Sequence, residues 1–147
     1  MAISGPGAFA LTFEKMFINT AAQSMEAETH KELMTDNSYT PNYDTHAFRS
    51  SVTNEVTGTG YSAGGVTITT TDWTIASNLM TYDFADTVYT TVTVSNAISG
   101  IFYFNVGTSG TDQLLGLQYF VTAASATAAN FTIQHPAAGV MTLDHVP

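Results

Sequence analysis

The sequence of 147 residues contains no cysteine, and twelve acidic against three basic residues give it a net charge of −9. The lack of cysteine excludes disulfides, thiolate metal sites and cysteine nucleophiles, and three bases are too few to bind a nucleic-acid backbone or an anionic membrane. No apolar run of about 18 residues predicts a membrane span. No basic segment precedes the apolar part of the N-terminus, so we expect no signal peptide.

The surface is expected to carry little charge. Hydrophobic residues make up 44% of the chain, which is typical of a folded domain, but charged residues make up only 10%. Lys15, Lys31 and Arg49 all lie in the first third. We therefore expect much of the surface to be covered by copies of the chain or by other proteins. The alternative is a weakly charged secreted or surface β-domain.

The N-terminal part predicts one helix. Apolar side chains at positions 9, 13, 16 and 17 recur at the spacing of one helical face, so we expect a helix over residues 9–24. We expect this face to pack on a sheet of the same chain, and the alternative is an arm that docks on a neighbouring molecule. The face consists of Phe9, Phe13, Met16 and Phe17.

Two loops are expected between residues 36 and 65. Residues 36–44 are rich in Asp, Asn, Ser and Pro, which favour turns. The second loop is rich in glycine and is expected to be ordered by Val52, Val56 and Tyr61. Its glycines resemble phosphate-binding loops only superficially, because no lysine follows them and the next segment predicts a strand. We expect them to provide positive φ angles and close backbone approach. They are Gly58, Gly60, Gly64 and Gly65.

From residue 66 onward the alternation of apolar residues predicts strands. Val88, Thr90, Val92 and Val94 are expected on one face, and Ile98–Val106 is expected as a central strand because it is apolar on both faces. Residues 131–143 predict a closing hairpin around Pro136 and Gly139. The other strand segments are Val66–Thr70, Trp73–Phe84 and Leu115–Val121, with turns at residues 83–87, 95–100, 107–112 and 124–130.

These segments predict a mainly β fold. About seven short strands at this spacing favour an antiparallel β-sandwich or jelly-roll-like body with one short N-terminal helix. We divide the chain into an N-terminal arm and helix, residues 1–34, and a β-sandwich domain, residues 35–147, which together form a single compact domain.

No pattern in the sequence predicts a catalytic centre. No serine lies in a G-x-S-x-G elbow, and the four histidines, His30, His46, His135 and His145, are expected as surface or loop imidazoles. Asp44 and His46, with Glu55 nearby, are an alternative metal site, but local turn capping is expected instead. Asp83 and Asp86 are expected to be solvated turn residues. We therefore expect no catalytic residue, no cofactor and no metal.

The run SYTPNYDTHAFRSSVTNEVTGTGYSAGGVTIT, residues 38–69, resembles a segment of small virion structural proteins of tailed bacteriophages. The pattern is Y-x-P-x-x-D-T-H followed by S-x-V-x-N-E-V-x-G-x-G-Y-x-A-G-G. Residues 130–143 resemble the closing hairpin of these proteins, and the family layout places a strand at Lys31–Thr35 after the helix. The segment between the glycine-rich loop and the central strand departs from the family pattern.

The resemblance implies a non-enzymatic particle component, made in the host cytoplasm and located on the phage particle. We expect a capsid decoration or cement protein that contacts the major capsid protein or other virion proteins, as a homo-oligomer with a trimer favoured. The alternative is a neck, tail or fibre-associated module involved in host attachment. The expected contact residues are Phe9, Phe13, Met16, Phe17, Tyr39, Tyr43, His46, Phe48 and Tyr61.

Overall fold

The computed structural model describes residues 6–17, 25, 27–69 and 71–144, which form eight strands and one α-helix. The molecule is mainly β, with antiparallel sheets and a short N-terminal helix, which confirms the predicted fold class. The elements are β1 (Gly7–Ala8), α1 (Ala10–Phe17), β2 (His30–Thr35), a 3-10 turn (Arg49–Ser51), β3 (Val66–Thr67), β4 (Asp72–Ala76), β5 (Leu79–Asp83), β6 (Thr87–Phe104), β7 (Leu114–Ile133) and β8 (Met141–Asp144).

Helix α1 begins one residue after the predicted start, and residues 18–24 of the predicted helix lie outside the described residues. Phe9 precedes the helix and is fully buried. The Thr12 hydroxyl donates a hydrogen bond of 2.5 Å to the Leu114 carbonyl and ties the helix to β7. In the part of the chain that the structure describes, no helix is long and apolar enough to cross a membrane.

The larger sheet has the strand order β1-β7-β6-β2-β3. Its centre is the ribbon formed by β6 and β7, which are joined by the loop 105–113. Strand β2 pairs along its whole length with Ser99–Phe104, so the predicted strand Lys31–Thr35 is confirmed. The predicted domain boundary after residue 34 falls inside this strand.

The ribbon folds over on itself. The Gln118 side-chain amide donates to the Gln134 carbonyl at 2.7 Å, and the rings of Phe120 and Phe131 lie 6.1 Å apart. We call residues 98–104 and 114–119 the proximal half of the ribbon, and residues 87–97 and 124–133 the distal half. Because the two halves meet, the distal half forms a second layer over the proximal sheet.

A large bulge marks the bend. β7 advances five residues from Tyr119 to Ala124 while β6 advances two residues from Ala97 to Ser99. Val121 lies within the extra segment and has a φ of 66°. Bulges of this kind let a strand turn a corner and pass from one layer to another. The predicted turns at 95–100 and 124–130 are therefore wrong, because the chain bends there without reversing. The turns at 83–87 and 107–112 are confirmed as connections between strands.

A smaller bulge corrects the predicted face of the strand before the bend. Thr91 has a φ of 52°, and β6 has one residue more than β7 between the pairs at Tyr89 and Val92. One extra residue moves the following side chains to the other face. Val92 is consequently buried, as is Val94, whereas Val88 is 43% exposed. The prediction that all these valines share one face is wrong.

The smaller sheet has the order β4-β5-β8. Ser77 and Asn78 join β4 to β5 with φ angles of 51° and 66°, as a two-residue hairpin turn of type I′ requires. Strand β8 pairs with β5, not with β7. The predicted closing hairpin is therefore wrong, and Trp73–Phe84 contains two strands.

The core lies on both faces of the larger sheet. Leu33, Ile101 and Leu117 are paired across the strands, share one face and pack with Phe9 and Tyr39. The opposite face is covered by the distal half of the ribbon and by the smaller sheet, through two further buried clusters.

Candidate functional surfaces

The loop between β6 and β7 is built around one buried carboxylate. Asp112 is fully buried and accepts hydrogen bonds from the backbone N–H groups of Val106, Gly107 and Thr108 at 2.9–3.3 Å. Its other oxygen accepts from the Arg49 guanidinium at 2.8 Å. Because the charge is paired and hydrogen-bonded, this group stabilises the loop and offers no free acid.

The glycine-rich segment is held by a second polar network. Glu55 accepts hydrogen bonds from the Tyr61 hydroxyl at 2.8 Å and from the Gly64 N–H at 2.6 Å. Tyr61 accepts from the Met34 N–H at 3.0 Å. The Tyr103 hydroxyl donates to the Gly64 carbonyl at 2.6 Å, and burial raises the pKa of Tyr103 to about 12, so it remains a donor at neutral pH.

The glycines of this segment have the structural role that the sequence predicts. A Cβ on Gly58 would collide with the Thr93 carbonyl, and a Cβ on Gly65 would collide with the Glu32 carbonyl. Gly60, Gly64 and Gly65 also have φ angles of 77°, 87° and 70°. The segment therefore packs backbone against backbone, on β2 and on the distal half of the ribbon.

His46 and Glu55 of the alternative metal site have different hydrogen-bond partners. The Tyr39 hydroxyl lies 3.0 Å from Nδ1 of His46, and the Asp44 N–H donates to the Asn42 side chain at 3.1 Å. Glu55 binds Tyr61 and Gly64. Across residues 6–17, 25, 27–69 and 71–144, no group of three or more His, Asp or Glu side chains is arranged to hold a metal ion.

A buried acid–imidazole–hydroxyl cluster was not predicted from the sequence. Nε2 of His135 lies 3.3 Å from a Glu32 carboxylate oxygen and 3.2 Å from the Thr87 hydroxyl. The side chains of His135 and Glu32 are 2% and 0% exposed. A hydrolytic triad uses the two imidazole nitrogens for different partners, whereas both partners here approach Nε2. This buried cluster therefore has neither the geometry nor the access of a catalytic triad.

Two histidines contradict the expectation of surface imidazoles. His135 lies in the cluster just described, with its ring centroid 4.4 Å from that of Phe84. His30 is 1% exposed on β2 and packs against Tyr82 and Phe104. Burial lowers the pKa of the His30 imidazole to about 4. The burial of His30 could have been predicted from the strand sequence HKELMT. Alternate residues of a strand share a face, so His30 and Glu32 lie on the same face as the apolar Met34.

The predicted contact residues divide between core and surface. Phe9 and Tyr39 are fully buried, so their side chains have no surface to offer a partner. Tyr43 is half-buried, and its ring lies 5.3 Å from that of Phe9. Phe13 is also half-buried and packs on the cluster beneath the smaller sheet.

The remaining predicted contacts are only partly accessible. His46, Phe48 and Tyr61 are half-buried, and the Lys15 ammonium lies 4.4 Å from the centre of the Phe48 ring. The backbone of Met16 and Phe17 completes α1, but their side chains lie outside the described part of the structure. Every expected contact residue whose side chain the structure describes is therefore buried or half-buried.

An apolar cleft of about 470 Å³ lies between β1 and the segment before β8. Leu115, Leu117, Pro136 and Met141 contribute to its walls, and no charged side chain lines it. Gln118 and Tyr119 are the polar residues of the lining, and the walls are otherwise apolar.

Large exposed apolar side chains lie on two parts of the molecule. On the smaller sheet, Ile75 and Leu143 are 70% and 56% exposed, and both lie on one face with Met80. On the ribbon and its loop, Val88, Val106 and Val121 are 43%, 42% and 75% exposed.

The ribbon differs from the rest of the chain in charge. Between Thr87 and Ile133 the sequence contains one charged residue, Asp112, and that residue is buried and paired with Arg49. The described exposed surface of the ribbon is thus formally neutral, in a chain whose net charge is −9. Comparisons of the chain with protein-family models, with curated proteins and with solved structures find no match.

Proposed function

We propose that the chain is a non-enzymatic structural component of a tailed-phage particle, acting as a capsid decoration protein. The observation that carries the proposal is the neutral, exposed β-ribbon, because charged residues are depleted at the centres of protein interfaces. The resemblance of residues 38–69 supports the same class of protein.

The polar groups described above are consistent with this role. Asp112 and Glu55 accept hydrogen bonds within the chain. A decoration protein stabilises a shell by burying surface at many repeated contacts, so it needs a rigid body and no reactive group. The proposed partners are the major capsid protein or other virion proteins, and the proposed location is the particle surface.

Stoichiometry in purified particles tests the proposal. Particles from cells that carry the gene would be purified on a density gradient, and copies of the chain counted by quantitative mass spectrometry relative to the major capsid protein. Hundreds of copies, together with earlier bursting of heads that lack the chain on heating, support a decoration protein. A dozen copies or fewer would favour a neck or tail module. Absence from the particles would overturn the proposal.

A further inference from the structure

The outer edge of β7 is open over most of its length. Strand β1 pairs with β7 only at Gly116 and Leu117, and beyond that point no described strand lies on this side of β7. Residues 121–130 are exposed apart from Ala124 and Ala126, which are half-buried. The edge therefore presents backbone N–H and C=O groups that have no partner strand among the described residues.

This edge has little of the usual protection against pairing. Proteins commonly protect open edges with lysine, proline, inward-pointing charge or bulges. Residues 118–133 contain no charged residue and no proline. Bulges occur at Val121 and Ala128, whose φ angles are 66° and 46°. They leave between them the segment Ala123–Thr127, whose length is that of a common strand.

We propose that Ala123–Thr127 pairs antiparallel with the same segment of a second copy of the chain, about a two-fold axis at Ser125. This register places Ala124 opposite Ala126 of the partner subunit and Ala123 opposite Thr127 of the partner subunit. All these side chains are small, so no bulky group obstructs the approach of the two backbones. An antiparallel edge is complementary to itself, so one two-fold contact satisfies both copies.

The distribution of charge favours a second copy as the partner. Two molecules with a net charge of −9 repel each other. The neutral ribbon is the region through which they can approach without bringing carboxylates together. An oppositely charged partner, in contrast, would gain nothing from this surface and would be drawn to the acidic parts of the molecule.

Cysteine trapping tests the register directly, because the native chain contains no cysteine. In the Ser125→Cys variant, the two new thiols would face each other across the axis. Opposed residues of antiparallel strands have Cα atoms about 4.5–5.5 Å apart, which lies within the range for a disulfide. Mild oxidation should give a disulfide-linked dimer of twice 15.7 kDa. The control is Thr74→Cys, which places an exposed thiol on the smaller sheet and should give little dimer.

A charge variant tests the same contact without oxidation. The native chain should sediment as a dimer at micromolar concentration. Ala123→Lys should raise the dissociation constant of that dimer at least about tenfold, because it places a lysine beside Thr127 of the partner subunit at each end of the contact, and a lysine on an open edge opposes strand pairing. Thr74→Lys should leave the constant unchanged, and circular dichroism checks that both variants fold. A monomer at all concentrations, a trimer insensitive to Ala123→Lys, or equal trapping of both cysteines would overturn the pairing. None of these outcomes depends on finding the chain in a particle.

Discussion

The two halves of the β6–β7 ribbon belong to the same strands but differ in how much of their surface is buried. In the proximal half, residues 98–104 are all buried, since β2 and β7 flank them and both faces are covered. In the distal half, buried and exposed residues alternate, and the bulges at Thr91 and Asn96 interrupt the alternation. The proximal half is the centre of the core. The distal half packs on the core with one face and exposes the other face to solvent.

Glycine is used differently in the two halves. The proximal half contains Gly100 and Gly116, where the Glu32 carboxylate and the Phe102 ring occupy the space that a Cβ would need. The distal half contains no glycine, although Thr91 and Ala128 there adopt positive φ angles, as does Val121 at the bend. In this ribbon, glycine therefore marks the places that need space, not the places that need an unusual backbone conformation.

The largest expected effect comes from filling one of these spaces. Gly116→Ala would place a methyl group against the ring of Phe102, its cross-strand partner, which is 6% exposed. We expect the free energy of unfolding to fall by about 2–3 kcal/mol, as is typical when a well-packed core is overfilled.

The matched control for this variant is Gly110→Ala. Gly110 lies in the loop 105–113, has no positive φ and has nothing within reach of an added Cβ. Its substitution should be neutral or slightly stabilising, because it restricts the unfolded chain. Urea unfolding of both variants measures the difference. A loss of equal size at both positions would show that steric filling is not the cause.

Acid should destabilise the proximal layer through His30. Burial lowers the pKa of His30 to about 4 in the folded state, against 6.5 for the free side chain. Between these values the unfolded state binds a proton that the folded state does not, so stability falls as the pH drops from 6.5 towards 4. This group should cost the protein on the order of 2 kcal/mol between pH 7 and pH 4.5.

Urea unfolding of the native chain and of the His30→Leu variant, each at about pH 7 and about pH 4.5, checks the prediction. Leucine at position 30 has no group that takes up a proton in this range. The variant should therefore lose less stability than the native chain over this range. An identical loss in the two proteins would exclude His30 as the source of the acid sensitivity.

The smallest expected effect is at the bend. Val121 combines a β-branched side chain with a φ of 66°, and it is 75% exposed, so little packing offsets the strain. Asparagine adopts this conformation more readily. We expect Val121→Asn to raise the free energy of unfolding by about 0.5–1 kcal/mol, measured at a concentration where the chain is monomeric. Thr122→Asn, at an exposed neighbour with ordinary φ, should bring no such gain.

The sequence predicts the fold class and several individual strands because their patterns are local. Ile98–Phe104 is apolar on both faces, as a central strand requires, and the glycine-rich loop has the close backbone approach that its composition suggests. The bend of the ribbon is different. Thr91, Val121 and Ala128 adopt positive φ angles that their residue types do not favour, so the sequence does not predict the bulges at these positions.

Long-range pairing explains the other failures. Strand β8 joins β5 across the intervening ribbon, and nothing near Leu143 in the sequence indicates that Met80 is its partner. His135 follows the end of β7 and precedes a proline, so the sequence predicts that it lies in a loop. Its burial depends on Glu32, which lies in a distant part of the chain. The approach of Glu32 and Thr87 to the same nitrogen of His135 became apparent only from the structure.

The loop around Asp112 has a consequence for the order of folding. It joins the two longest strands through nine residues, so the ribbon can close early, at a small entropic cost. Strands β2, β3 and β8, in contrast, must find partners that are remote in sequence, and such contacts slow folding. We expect the ribbon to act as the nucleus onto which the N-terminal third and the C-terminal strand dock later.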